Sequence, residues 1–249
     1  MLQKFIVANW KMNKTIGEAV DFLSQFIPSV EGIKDREIGI APTFLCIETV
    51  GKALKNTNIK LCAQNVFYEN KGAYTGEVSP SMLKDAEVEY VIIGHSERRK
   101  YFHETDEIIN KKIHASLKEK LKVIFCIGET LEERKLEKTK EILEIQIKGG
   151  LKNIEHVEAL TIAYEPVWAI GTGVVATEEQ IKEAHLFIRE KLRDIYGEIA
   201  NEIRILYGGS VSPENIKSII TLDNVDGVLV GGASLDPLSF AKIVKYDQK

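Results

Sequence analysis

Eight short apolar runs rich in β-branched residues recur along this chain, and no other feature of it constrains the fold as tightly. They occupy 5–8, 38–41, 59–63, 90–93, 123–127, 160–164, 203–207 and 228–230. Most are apolar at consecutive positions, as in Tyr90-Val91-Ile92-Ile93. A half-exposed strand alternates instead, so these runs read as parallel strands buried on both faces. Parallel neighbours cannot be joined by a tight turn and need a crossover, usually a helix. The intervening segments supply one. Thr15-Ile16-Gly17-Glu18 and Thr130-Leu131-Glu132-Glu133 read as capping boxes, each end satisfying the other's backbone donor. Ser79-Pro80, Ser212-Pro213 and Asp236-Pro237 place a cap residue before a proline at the first helical position. After Thr177, the apolar residues Ile181, Ala184, Ile188, Leu192 and Ile195 fall on one helical face, as do Ile109, Ile113 and Leu117. The Lys- and Glu-rich run 132–148 reads as the wet face of a helix.

Strand starts lie roughly 20 to 45 residues apart, about one β/α unit each. Eight units in 249 residues, with no linker or composition shift between them, predict a single domain over 1–249. The architecture that suits them is α/β, a closed eight-stranded parallel (β/α)8 barrel, with an open doubly wound sheet as the alternative. The net charge is only −4 and its signs are interspersed, so no basic block marks a nucleic-acid surface. The N-terminal apolar run breaks at Asn9 and Lys11, too short for a signal sequence, and no later stretch approaches a membrane span. Cys46, Cys62 and Cys126 form no C-x-x-C pair and no disulfide scaffold. A reducing, cytoplasmic setting is expected.

In a parallel barrel, chemistry collects where strands end and helices begin. Those positions here hold Asn9-Trp10-Lys11, Gln64-Asn65, His95-Ser96-Glu97, Glu129, Glu165-Pro166, Gly208-Gly209-Ser210 and Gly231-Gly232. Paired glycines after the last two runs expose backbone N–H groups, a ready anion cradle, although glycine also serves simply as the residue of tight turns. Pro166 holds Glu165 out of helical geometry, which suits a general base; an ordinary ion-paired Glu is the plainer reading. His95 suits an electrophile or proton relay, or else a satisfied structural histidine. Lys11 suits a cation beside a developing oxyanion, or else a surface lysine. Base, electrophile, cation and anion cradle on separate strands form a constellation. It points to proton transfer next to a carbonyl in a small phosphorylated substrate.

Other patterns carry less. Gly171-x-Gly173-x-x-Ala176 matches a loose dinucleotide fingerprint, but residues 166–170 intervene after the strand and no acidic residue ends the next one. Histidines 95, 103, 114, 156 and 185 and the cysteines show no metal-ligand spacing. No G-x-S-x-G elbow is present. Trp10 and Trp168 read as packing residues.

At the strand ends the sequence resembles a known family. Residues 8–13 (Ala-Asn-Trp-Lys-Met-Asn), 93–99, 163–173, 207–211 and 230–235, with Gly72-Ala73-Tyr74-Thr75-Gly76-Glu77, are similar in order and along essentially the whole chain to the triosephosphate isomerases. The resemblance implies a TIM barrel that interconverts dihydroxyacetone phosphate and D-glyceraldehyde 3-phosphate through an enediolate. It places the activity in glycolysis and gluconeogenesis, with a link to the pentose phosphate pathway, and requires neither metal nor organic cofactor. Glu165 would be the base and neutral His95 the electrophile and relay. Lys11 and Asn9 would stabilise charge, supported by Glu97, and Gly171, Ser210, Gly231 and Gly232 would hold the phosphate together with Asn9 and Lys11. Residues 166–176 resemble the family's lid, with Val174 where a lysine is frequent. His103 stands where glycine is common. The loop around Thr75 would enter a second subunit near Asn13 and Lys11, giving a homodimer. Two other classes remain alongside: a phosphate-binding barrel aldolase or synthase, which would want a buried lysine late in the chain, and a barrel that binds metabolites without turning them over.

Overall fold

The computed structural model of the chain describes residues 2–170 and 175–248. Its strands are β1 (Lys4–Asn9), β2 (Arg36–Ala41), β3 (Ile59–Ala63), β4 (Tyr90–Ile93), β5 (Lys122–Ile127), β6 (Leu160–Tyr164), β7 (Arg204–Tyr207) and β8 (Gly227–Val230). Each lies within two residues of an expected run. They pair in parallel in chain order, and β8 pairs with β1 to close the barrel, which excludes the open sheet. Helices α1 (Ile16–Ser29), α2 (Ile47–Leu54), α3 (Pro80–Asp85), α4 (Ser96–Tyr101), α5 (Asp106–Lys118), α6 (Leu131–Lys135), α7 (Thr139–Gly150), α8 (Glu178–Tyr196), α9 (Ile216–Ile220) and α10 (Pro237–Val244) make up the crossovers.

Successive residues of a strand face opposite sides, and here both sides are apolar. Phe5 and Val7 of β1 join Ile92, Ile124, Cys126, Leu206 and Leu229 inside the barrel. Ile6 and Ala8 face outward into the layer shared with the helices. Each fully buried Leu or Ile in that layer stabilises by about 1.5–3 kcal/mol. At the N-terminal end of the barrel, Arg204 donates to Glu37 at 2.6 Å and to the Tyr90 hydroxyl at 2.9 Å, and its guanidinium lies 4.5 Å from the Phe5 ring centroid. That half-buried network lies at the end of the interior opposite the strand ends that carry the candidate site.

Both expected capping boxes form at Thr15 and Thr130, and Ser79 and Asp236 cap helices with proline in the first turn. Three expectations are corrected. Regular helix begins at Ile216 rather than at Pro213. The side-chain oxygen of Asn215 takes the Ser212 N–H at 2.8 Å and its amide reaches the Ser210 carbonyl at 3.2 Å, holding 212–215 as a turn. The run 132–148 is two helices, because Glu137 adopts φ +58 and the chain reverses in a Schellman motif. The Lys138 N–H reaches the Glu133 carbonyl and the Glu137 N–H the Arg134 carbonyl, each at 2.9 Å. Ile181, Ala184, Ile188 and Leu192 are buried as expected, but Ile195 in the last turn of α8 is exposed. His103 follows α4 at φ +54, left-handed backbone that favours glycine.

His185 of α8 is wholly buried, its ring edge-on to Tyr164 with centroids 5.8 Å apart. Its Nδ1 lies 2.9 Å from the Asn224 carbonyl, which only accepts, so Nδ1 carries the proton of the neutral ring. Burial, aided by the nearby charges of Arg189 and Lys4, pushes its pKa down to about 4. The unfolded chain therefore binds the proton more tightly. This contribution is complete above about pH 6.5, declines as pH falls, and is gone below about 4, a change of about 3 kcal/mol. Urea unfolding across that window should lose about this much more stability in the wild type than in His185→Gln. Equal slopes for the two proteins would contradict it.

Candidate active site

The C-terminal mouth of the barrel encloses a cavity of about 360 Å³ bordered by Asn9, Lys11, Asn13, His95, Glu165, Ser210, Gly231 and Gly232. Lys11 leaves β1 with φ +52, a conformation that side chains disfavour. Local hydrogen bonds hold it there. The Asn9 side-chain oxygen accepts the Lys11 N–H at 3.0 Å, and the Gln64 amide donates to the carbonyls of Lys11 and Ala41 at 2.9 and 2.8 Å. The Lys11 ammonium ends 2.6 Å from the Glu97 carboxylate. Among the described residues that border the cavity, Lys11 is the only Lys or Arg.

His95 is the N-cap of α4. The Glu97 backbone N–H donates to its Nδ1 at 3.2 Å, so in the neutral ring Nε2 carries the hydrogen. That nitrogen lies 3.1 Å from Glu165 Oε1. The second carboxylate oxygen accepts the Ser96 N–H at 3.0 Å. Helices leave their leading N–H groups without internal partners, and α4 spends two of them on these side chains. Glu165 is 2% exposed and extends the β6 ladder, its own N–H bonded to the Ile127 carbonyl at 2.7 Å. Two glycines make room for it. A Cβ on Gly128 would lie 1.8 Å from the Glu165 carbonyl oxygen, and one on Gly208 2.9 Å from Glu165 Cγ. Beneath it, the Cys126 thiol is pushed well above its usual range by burial and then by the Glu165 charge, so it stays protonated.

The two glycine pairs differ. Gly208 clears Glu165, and a Cβ on Gly209 would lie 2.2 Å from the Tyr207 hydroxyl, so the first pair has steric causes. A Cβ on Gly231 would sit 3.3 Å from Lys11 Cε, whereas Gly232 meets nothing within 4 Å. Gly232 opens a 3-10 turn to Ser234, and the leading N–H groups of such a turn have no partner inside it. The Ser210 hydroxyl donates to the Ala169 carbonyl at 2.6 Å. Gly171 and Val174, with most of the dinucleotide-like pattern, lie outside the described residues.

Eight of the expected residues thus meet at one cavity: Asn9, Lys11, Asn13, His95, Glu165, Ser210, Gly231 and Gly232, although Asn13 was expected at a subunit contact. Glu97 acts one step back, on Lys11, and Thr75 lies apart on an exposed loop. Sequence reasoning noted Gln64 and Glu129 by position without giving them a task. Glu129 is fully buried and accepts from the Tyr164 hydroxyl, from Trp168 at 2.9 Å and from Arg134 at 3.1 Å, so Trp168 is more than packing. Ser96 was likewise noted only by position, and Gly128 escaped because its close contact is with Glu165, on the neighbouring unit. Among the described residues no three His, Cys, Asp or Glu converge as metal ligands.

A closed parallel barrel with a buried carboxylate, a ring whose Nε2–H faces it, a lysine and a glycine-opened turn at one mouth defines a barrel enzyme that moves protons on small anionic molecules. A family model described as triosephosphate isomerase matches residues 4–247, and the chain belongs to that family. It is 76% identical over 246 residues to the triosephosphate isomerase of Thermodesulfovibrio yellowstonii, covering 99% of this chain and 100% of that protein. The enzyme of Chloroherpeton thalassium is 50% identical over 249 residues, covering 98% and 99% of the two chains. The crystal structure of triosephosphate isomerase from Bartonella henselae superposes with a TM-score of 0.91 at 38% identity, each chain fully covered.

The close approach at Gly208 yields a test. Gly208→Ala should push the Glu165 side chain off its present line and, with Glu165 as the reacting group, lower kcat about ten-fold or more, since misplacing such a group by about 1 Å can cost 10²-fold. Its melting temperature should stay near the wild-type value. A variant with unchanged kcat would mean the carboxylate adapts to the methyl group.

Proposed function

We propose that this chain, acting as one domain, interconverts dihydroxyacetone phosphate and D-glyceraldehyde 3-phosphate, with Glu165 as the base that carries the proton. The observation that carries the reading is the buried Glu165 carboxylate, held between the Ser96 N–H and His95 Nε2 at the mouth of the cavity. Glu165 takes a proton from the carbon beside the carbonyl, a carbon–carbon double bond forms, and the carbonyl oxygen becomes an enediolate oxygen. The proton returns to the neighbouring carbon. Reactant and product are isomers, so no outside oxidant or reductant enters the balance. The hydrogen on His95 Nε2 serves the two oxygens in turn, with the Glu97 N–H at Nδ1 holding the tautomer. Lys11 and Asn9 offset the developing negative charge. The amides of Gly231 and Gly232 and the end of β7 at Ser210 receive the phosphate, with Gly171 as a further donor.

An assay supplying D-glyceraldehyde 3-phosphate and coupling dihydroxyacetone phosphate to NADH consumption tests the activity. In the same assay, Glu165→Gln should lose about 10³-fold in kcat, because the amide cannot accept the proton. Binding of inorganic phosphate should persist. Near-normal turnover would remove Glu165 as the base.

The same reading includes a homodimer in a reducing, cytoplasmic setting. Met12, between Lys11 and Asn13, is 94% exposed and Leu45 is 84% exposed, apolar side chains that a second copy would cover. Tyr74 and Thr75 present an exposed loop of matching character. The three cysteines are free and buried, and no helix among the described residues is long and apolar enough to cross a membrane. Thr75→Arg should halve the mass measured in solution and depress kcat. Unchanged mass and activity would count against the loop as the contact.

A further inference from the structure

Lys14 stands outside every role given so far. It adopts φ +75, where a side chain is disfavoured, yet its ammonium is firmly engaged. Nζ donates to the Leu235 carbonyl at 2.7 Å, across 221 residues of sequence. The same nitrogen lies 4.8 Å from the Phe22 ring centroid and 5.3 Å from that of Trp10. At its other end, the Lys14 carbonyl accepts from the Cys46 thiol at 3.7 Å.

The acceptor matters more than the bond. Leu235 closes the 3-10 turn that Gly232 opens, its N–H bonded to the Gly232 carbonyl at 3.1 Å. Lys14 lies three residues past Lys11 on the loop that leaves β1. One ammonium therefore joins the segment carrying the site's cation to the turn whose first residues line the cavity. The rings of Trp10 and Phe22, 5.0 Å apart and edge to face, hold its stem in place. Burial pulls the Lys14 pKa down from its usual value, and the nearby Glu18 and Asp236 carboxylates oppose that shift.

We propose that Lys14 is a positioning residue for phosphate binding, tying the β1 loop to the Gly232–Ser234 turn so that Lys11 and the turn's amides present one preformed anion site. The inference rests on the isomerase reading for its substrate, and its test separates the two.

Lys14→Met keeps an unbranched stem over the rings and removes the donor; Lys14→Arg restores a donor. The probe is inorganic phosphate, followed by the amide resonance of Gly232, alongside KM and kcat for D-glyceraldehyde 3-phosphate. In Lys14→Met the phosphate Kd and the KM should rise together by about ten-fold, the worth of one hydrogen bond from a charged group, with kcat within about three-fold. Lys14→Arg should recover most of the loss. If Lys14→Met fails to fold, Lys14→Gly, which relieves the left-handed backbone, should give the same rise. The proposal is overturned by wild-type phosphate affinity in the donor-less variant, by a loss that tracks a change in solution mass, or by an Arg variant no better than Met. Wild-type protein that binds phosphate without isomerising the triose would sink the isomerase reading and leave the phosphate arm decisive for Lys14.

Discussion

Everything at the mouth depends on the last strand reaching the first. β8 lies against β1 in parallel register, Phe5 opposite Gly227 and Ala8 opposite Val230, and the Phe5 N–H is bonded to the Asp226 carbonyl at 3.0 Å. A side chain at Gly227 would bring its Cβ within 1.9 Å of the Phe5 carbonyl oxygen. Closure therefore needs bare backbone at that point. Once the ring is shut, the C-terminal ends of all eight strands face one rim, and residues as distant in sequence as Asn9, Glu165 and Gly232 border a single cavity.

Within that rim the start of α4 organises the chemistry. Its first two N–H groups hold a Glu165 oxygen and the His95 Nδ1, and the side chain of its second residue, Glu97, holds Lys11. Carboxylate, imidazole and ammonium are thus referred to one short helix, and through it to β4. A displacement of α4 would move all three together. The Gly232–Ser234 turn belongs to a different unit, and its alignment with α4 runs through β1 by way of Gly231 against Lys11 and Lys14 against Leu235.

The strands and most caps were legible because their causes are local: consecutive β-branched residues, or a Thr three positions before a Glu. The candidate site residues were legible for a related reason, since each sits just past an apolar run. What stayed hidden depends on partners far along the chain. Gln64 looks like any polar residue after a strand until its amide is seen on two carbonyls of the preceding units. Gly208 and Gly209 read as an anion cradle, and the crowding of Glu165 and the Tyr207 hydroxyl against them could not be read from the sequence. The reversal at Glu137 escaped because it uses left-handed backbone without the glycine that would announce it, whereas the family's glycine at position 103 had hinted at the bend His103 makes.

The network at the opposite end has a consequence for traffic. Arg204, Glu37 and Tyr90 lie at the floor, and Phe5, Val7, Ile92 and Leu206 fill the axis above them. The barrel is a blind vessel rather than a conduit. A molecule that enters at the rim must leave by the same opening, so each departing product vacates the doorway before another reactant can use it. Arrival and exit share one path, and any barrier at that doorway weighs on both, in both directions of a reversible reaction.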